Sequence, residues 1–166
     1  MAKIFNIAAD CKPPIHYMVD ISDRLEQIKK MIDSGQYFTI NRARQYGKTT
    51  TLRALAKYLE QDYVVVSLDF QLMSHKDFEE EGDFVKAFSE AVLRKVSGEE
   101  AMPAEIRREL QELIGDSQET ALSRLFEILS RWCRMSKNPI VLIIDEVDSA
   151  SNNQVFLDFL SQLRGY

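Results

Sequence analysis

"NRARQYGKTTTLRALAKYL", residues 41–59, decides how the rest of the chain is read. Residues 42–49 follow the pattern G-x-x-x-x-G-K-[ST] at every position but the first, where Arg42 replaces glycine. Immediately before it, YFTIN (37–41) is short, aromatic and β-branched, which predicts a buried strand. Immediately after it, from Lys48, the residues Leu52, Leu55, Ala56 and Leu59 recur on one face of a predicted helix. A strand, a loop and a helix in that order form the context in which such a loop holds phosphate. The start of a helix presents N–H groups and partial positive charge to an anion. Gly47 lets the backbone turn and approach without a Cβ in the way. The Lys48 ammonium then suits β- and γ-phosphate oxygens, and the Thr49 hydroxyl suits Mg²⁺. Arg42 removes one permissive backbone position, so the strand must leave in a conformation open to ordinary residues.

Working outward, a helix is predicted before YFTIN. Asp20, Ser22 and Asp23 offer N-caps, Ile21, Leu25, Ile28 and Ile32 repeat at helical spacing, and Gly35 stops the pattern. On the other side, YVVVSLDF (63–70) and IVLII (140–144) read as further strands, apolar on both faces as parallel strands covered by helices tend to be. Three helical patterns lie between them. They carry Phe84, Phe88, Ala91 and Val92; then Ile106, Leu110, Leu113 and Ile114; then Leu122, Leu125, Phe126, Leu129 and Trp132. Asn138-Pro139 ends the third, and Val155, Phe156, Phe159, Leu160 and Leu163 mark a last helix. Strands alternating with helices predict an α/β fold, a three-layer parallel sheet of the P-loop NTPase type in one domain over 1–166, with 71–137 as a helical insertion between strands.

The strand IVLII runs into Asp145 and Glu146. An apolar strand ending in carboxylates is the Walker B pattern, and in such sheets ligands gather at the carboxyl ends of the strands. Side chains alternate along a strand, so the two acids take different jobs. Asp145 is expected to hold Mg²⁺ through water, beside Thr49, and Glu146 to polarise the attacking water as general base. Adjacent Asp-Glu favours an NTP hydrolase over a kinase, whose second substrate brings its own nucleophile. Asp148 reads as a helix cap or a solvated loop residue.

The 166 residues suffice for a domain with its own core, and a net charge of -5 provides no general attraction to nucleic acid or anionic membrane. No apolar run approaches a bilayer-spanning length, and the N-terminus has no secretory signal. Cys11 and Cys133, far apart in sequence, read as reduced thiols, and the location expected is cytoplasmic.

With these motifs in place, "IHYMVDISDRLEQIKKMIDSGQYFTINRARQYGKTTTLRALAKYL" and "IVLIIDEVDSASNNQVFLDFLSQLRGY" resemble AAA-type, STAND-related ATPases of bacteria and archaea. They are most similar to a bacterial set in which the first loop glycine is often replaced and an Arg-rich stretch precedes G-K-[ST]. The resemblance covers both ends and is vague over 71–137. It implies ATP and Mg²⁺ as cofactors, with Arg42, Ala43, Arg44, Gln45, Tyr46, Gly47, Lys48, Thr49 and Thr50 against the nucleotide. It also implies an adenine contact just before the first helix, where Tyr17 and Val19 either sandwich the base or pack on the sheet edge. His16 and His75 read as structural or solvated. The resemblance further implies a sheet ordered 5-1-4-3-2, with YFTIN as strand 1 and IVLII as strand 3. Strands 4 and 5, with the sensor and arginine finger, have no counterpart here, so an N-terminal fragment of a longer protein is expected.

Three functions follow from the site. One is Mg²⁺-dependent ATP hydrolysis through Lys48, Thr49, Asp145 and Glu146. Another is a nucleotide-gated interaction switch with little turnover, in which Arg42 and Arg44 clamp phosphate. The last is the ATPase module of a nucleic-acid-processing protein, against which the acidic charge counts. A homo-oligomer or a protein partner is compatible with each. Arg107, Arg108, Arg131 and Arg134 in the middle region suit phosphate or DNA contact, but arginines on amphipathic helices are more often part of a solvated surface.

Overall fold

The computed structural model describes residues 19–41, 47–115, 121–147, 150 and 152–165. Among them are six α-helices, two 3₁₀ turns and two strands, arranged in two compact units, Met1–Gln61 and Asp62–Tyr166.

The first unit contains α1 (Ser22–Asp33) and α2 (Lys48–Leu59). Asp20 starts α1, its carboxylate accepting the Ser22 N–H at 2.9 Å and the Ser22 hydroxyl at 2.6 Å. The helix ends where Gly35 turns to φ 68°, its N–H bonding the Ile32 carbonyl while the Gln36 N–H bonds that of Met31. That pair of bonds is a Schellman motif, and it needs a residue that tolerates positive φ. The apolar stripes of the two helices bury Leu25 and Ile28, and Leu52, Leu55 and Leu59.

The second unit holds the strands β1 (Val64–Asp69) and β2 (Ile140–Asp145). They pair in parallel, Val64 opposite Ile140 through to Asp69 opposite Asp145. Between them in sequence run 3₁₀ turns at Phe70–Leu72 and His75–Phe78, then α3 (Glu81–Lys95), α4 (Ala104–Gly115) and α5 (Leu122–Met135). The last helix, α6 (Gln154–Gly165), follows β2, with the Asn153 carboxamide oxygen accepting the Val155 N–H at 3.0 Å. One face of the sheet, with Val66, Leu68, Leu142 and Ile144, packs on the helical core. In that core Phe159 meets the rings of Phe84, Phe88 and Phe126 at centroid distances of 5.0–5.5 Å. The helices are pinned at their ends by long-range polar contacts. The Trp132 indole N–H donates to the Ala101 carbonyl at 2.9 Å, and Glu81 on α3 accepts the Leu122 N–H that begins α5 at 3.1 Å. Cys133 is a free thiol, and burial pushes its pKa up against the opposing pull of Arg134.

Mixed α/β architecture with parallel strands was expected and is present. The wide three-layer sheet is not seen among the described residues, where the sheet has two strands. YFTIN (37–41), expected as a strand, takes no part in a ladder. Its side chains still alternate, Tyr37 and Thr39 exposed and Phe38 and Ile40 half-buried. The physical reason is that the described residues of its unit include no second strand. A strand is completed by hydrogen bonds to another extended segment, and the described residues of its unit otherwise form helices and their turns.

Within α3, the Ser89 hydroxyl is buried and has no hydrogen-bond partner. An unsatisfied hydroxyl is costly, and alanine is the better helix former. Ser89→Ala is therefore expected to raise stability by about 0.5–1 kcal/mol, read as a higher urea midpoint at unchanged slope.

Candidate functional site

The two sequence motifs lie in different units, and each is built locally. In the first unit Gly47 adopts φ 70°, ψ 29° and precedes α2. Its carbonyl accepts the Thr51 N–H and the Thr51 hydroxyl, both at 2.9 Å, which closes the first turn. Lys48, Thr49 and Thr50 occupy that turn, and all three are half-buried. The first turn of a helix directs its N–H groups away from the helix body, so this is a polar, electropositive helix start. A Cβ at Gly47 would meet nothing within 4 Å, so the requirement for glycine is conformational and not steric. Gly47→Ala is expected to destabilise the chain by about 1 kcal/mol, measured by denaturant unfolding. Arg42, Ala43, Arg44, Gln45, Tyr46 and Tyr17 lie outside the described residues, as do His16 and Asp148. Val19 is 83 % exposed.

In the second unit Asp145 is the last residue of β2 and only 9 % exposed. Glu146 follows it with φ 56°, the one non-glycine among the described residues with positive φ. Left-handed backbone at a side-chain-bearing residue costs of order 1 kcal/mol and concentrates at functional positions. The turn is held locally, since the Glu146 N–H donates to Asp145 Oδ1 at 2.9 Å.

The register adds a residue that the motif search passed over. Asp69 ends β1 directly beside Asp145, on the same face of the sheet, opposite the face on the helical core. The signal was in the sequence, since VVVSLD and IVLIID are equal apolar runs that both end in Asp, and in-phase parallel pairing aligns their ends.

The arginines of the middle region are partly committed to structure. Arg131 pairs with Glu109 across α4 and α5, and Arg107 donates to the Val96 carbonyl at 3.0 Å. A cavity of about 440 Å³ between those helices is lined by four glutamates, three arginines and Ile128, a charged helix seam with no net basic character. Among the described residues no helix is long and apolar enough to cross a membrane, and no three acidic, His or Cys side chains group as a metal cage. Mg²⁺ needs no such cage, because it is usually held by one or two carboxylates with substrate phosphate and water. Thr49 in the first unit and Asp145 in the second each carry oxygen donors of the hard type that such a cation takes.

Residues 15–166 match the family described as AAA-like domain. No curated protein and no solved structure matches the chain.

Proposed function

The chain belongs to the AAA-like domain family, and from that premise we propose that it is a STAND-related ATPase that binds and hydrolyses Mg²⁺-ATP. The observation that carries the reading is the start of α2, where left-handed Gly47 delivers Lys48 and Thr49 into a half-buried first turn. Lys48 neutralises the β- and γ-phosphates, with Arg42 to Thr50 proposed as nucleotide-binding residues and Tyr17 and Val19 as the adenine contact. Thr49 and Asp145 would be the Mg²⁺ residues, and the cation would supply positive charge for the phosphoryl oxygens. Glu146 takes the proton from the attacking water as its oxygen forms the new bond to the γ-phosphorus, while the bond from that phosphorus to the β,γ-bridging oxygen breaks and ADP leaves with the bonding electron pair.

The same reading accounts for the small sheet. In the order 5-1-4-3-2, the pair β1–β2 corresponds to strands 2 and 3, and YFTIN to strand 1, whose neighbours are strands 5 and 4.

The test is phosphate release from ATP by the longest natural version of the protein. Turnover that requires Mg²⁺ and stops in EDTA is expected. ATP that binds without being turned over would replace the hydrolase with a nucleotide-gated switch.

A further inference from the structure

Asp69 has no role in the motifs that define the candidate site, yet the fold sets it beside the most buried carboxylate there. In a parallel pair, residues in register point to the same face, and neighbouring strands lie about 4.8 Å apart. Asp69 and Asp145 are such a pair, at the carboxyl ends of β1 and β2. Like charges at neighbouring sheet positions are destabilising. Water screens the pair only partly, because Asp145 is 9 % exposed and Asp69 is half-buried. A divalent cation beside such a pair is attracted by both charges.

Asp69 is also held in place. Its Oδ1 accepts the Gln71 N–H at 3.0 Å and caps the following 3₁₀ turn. That bond uses Oδ1, and a carboxylate has a second oxygen that can accept from the water that hydrates a cation. Resting on the Mg²⁺-ATP reading above, we propose that Asp69 is a positioning residue for the metal. Beside Asp145 it supplies negative charge and a hydrogen-bond acceptor to the hydrated cation, and so tightens the binding of Mg²⁺ with nucleotide. Its partner is a divalent cation with a hard, oxygen-rich shell, and its effect is on the metal-linked part of ATP affinity alone.

The experiment compares ATP affinity in saturating Mg²⁺ with ATP affinity in EDTA, for wild type, Asp69→Asn and Asp69→Ser. Both replacements keep an oxygen that can cap the Gln71 N–H and remove the charge, so loss of folding in one leaves the other to decide. The expected result is that the gain in affinity from Mg²⁺ shrinks roughly tenfold, while affinity in EDTA is unchanged or tighter. A gain from Mg²⁺ equal to that of wild type overturns the proposal and leaves the ATPase reading standing. An equal loss with and without Mg²⁺ assigns Asp69 a purely structural role and also overturns it. If wild type shows no Mg²⁺-linked ATP binding at all, the underlying reading fails and the role of Asp69 fails with it.

Discussion

Glu146→Gln is expected to bind ATP as wild type does and to turn it over at least about a hundredfold more slowly, the scale on which general base catalysis acts. The glutamine keeps the shape of the side chain and loses the group that accepts the proton. The backbone explains why the position is sensitive. Glu146 sits at φ 56°, pinned through its N–H to Asp145 Oδ1, so its carboxylate projects from a fixed, left-handed turn and not from a regular strand. Lys48→Ala makes the contrasting variant, because it removes the phosphate-binding charge from the first turn of α2 and is expected to lose binding itself. Equilibrium binding and steady-state turnover, measured on both variants, separate the two roles. Equal turnover in wild type and Glu146→Gln would remove Glu146 from the chemistry.

The second large effect is on stability. Phe159 is fully buried, with its ring packed among those of Phe84, Phe88 and Phe126 and facing Phe156 at 6.4 Å. Phe159→Ala removes the ring from the centre of that cluster and leaves a cavity that the surrounding helices cannot close. The expected cost is about 4 kcal/mol, enough to lower the melting temperature by more than about 10 °C. Phe159→Leu retains most of the volume and is expected to cost less than half as much. Thermal unfolding followed by circular dichroism reads both. A Phe159→Ala protein that melts with wild type would mean that the aromatic cluster does not hold the second unit together.

Periodicity located the helices well because their burial is local to each helix. The stripe at Leu52, Leu55 and Leu59 marks α2, and Ile106, Leu110 and Leu113 mark α4, each buried as the spacing required. The strands at 64–69 and 140–145 were legible for a related reason, since runs rich in β-branched and apolar residues suit a sheet with covered faces. YFTIN was expected as a buried strand, and among the described residues it joins no ladder. Pairing depends on which other segment lies alongside, and composition carries no such information. The candidate site divides in the same way. Gly47, Lys48 and Thr49 declare themselves by order, as do Asp145 and Glu146. Asp69 becomes visible once the register places it beside Asp145. The left-handed turn at Glu146 leaves no trace in composition either, because glycine is the residue that would ordinarily announce it.

The central claim is that this chain engages Mg²⁺-ATP through the start of α2. It is tested most directly by calorimetric titration of ATP into the wild-type protein with Mg²⁺, and again with EDTA. Saturable binding that tightens with Mg²⁺ is the predicted result. A flat titration under both conditions, from protein that unfolds cooperatively and is therefore folded, would contradict it.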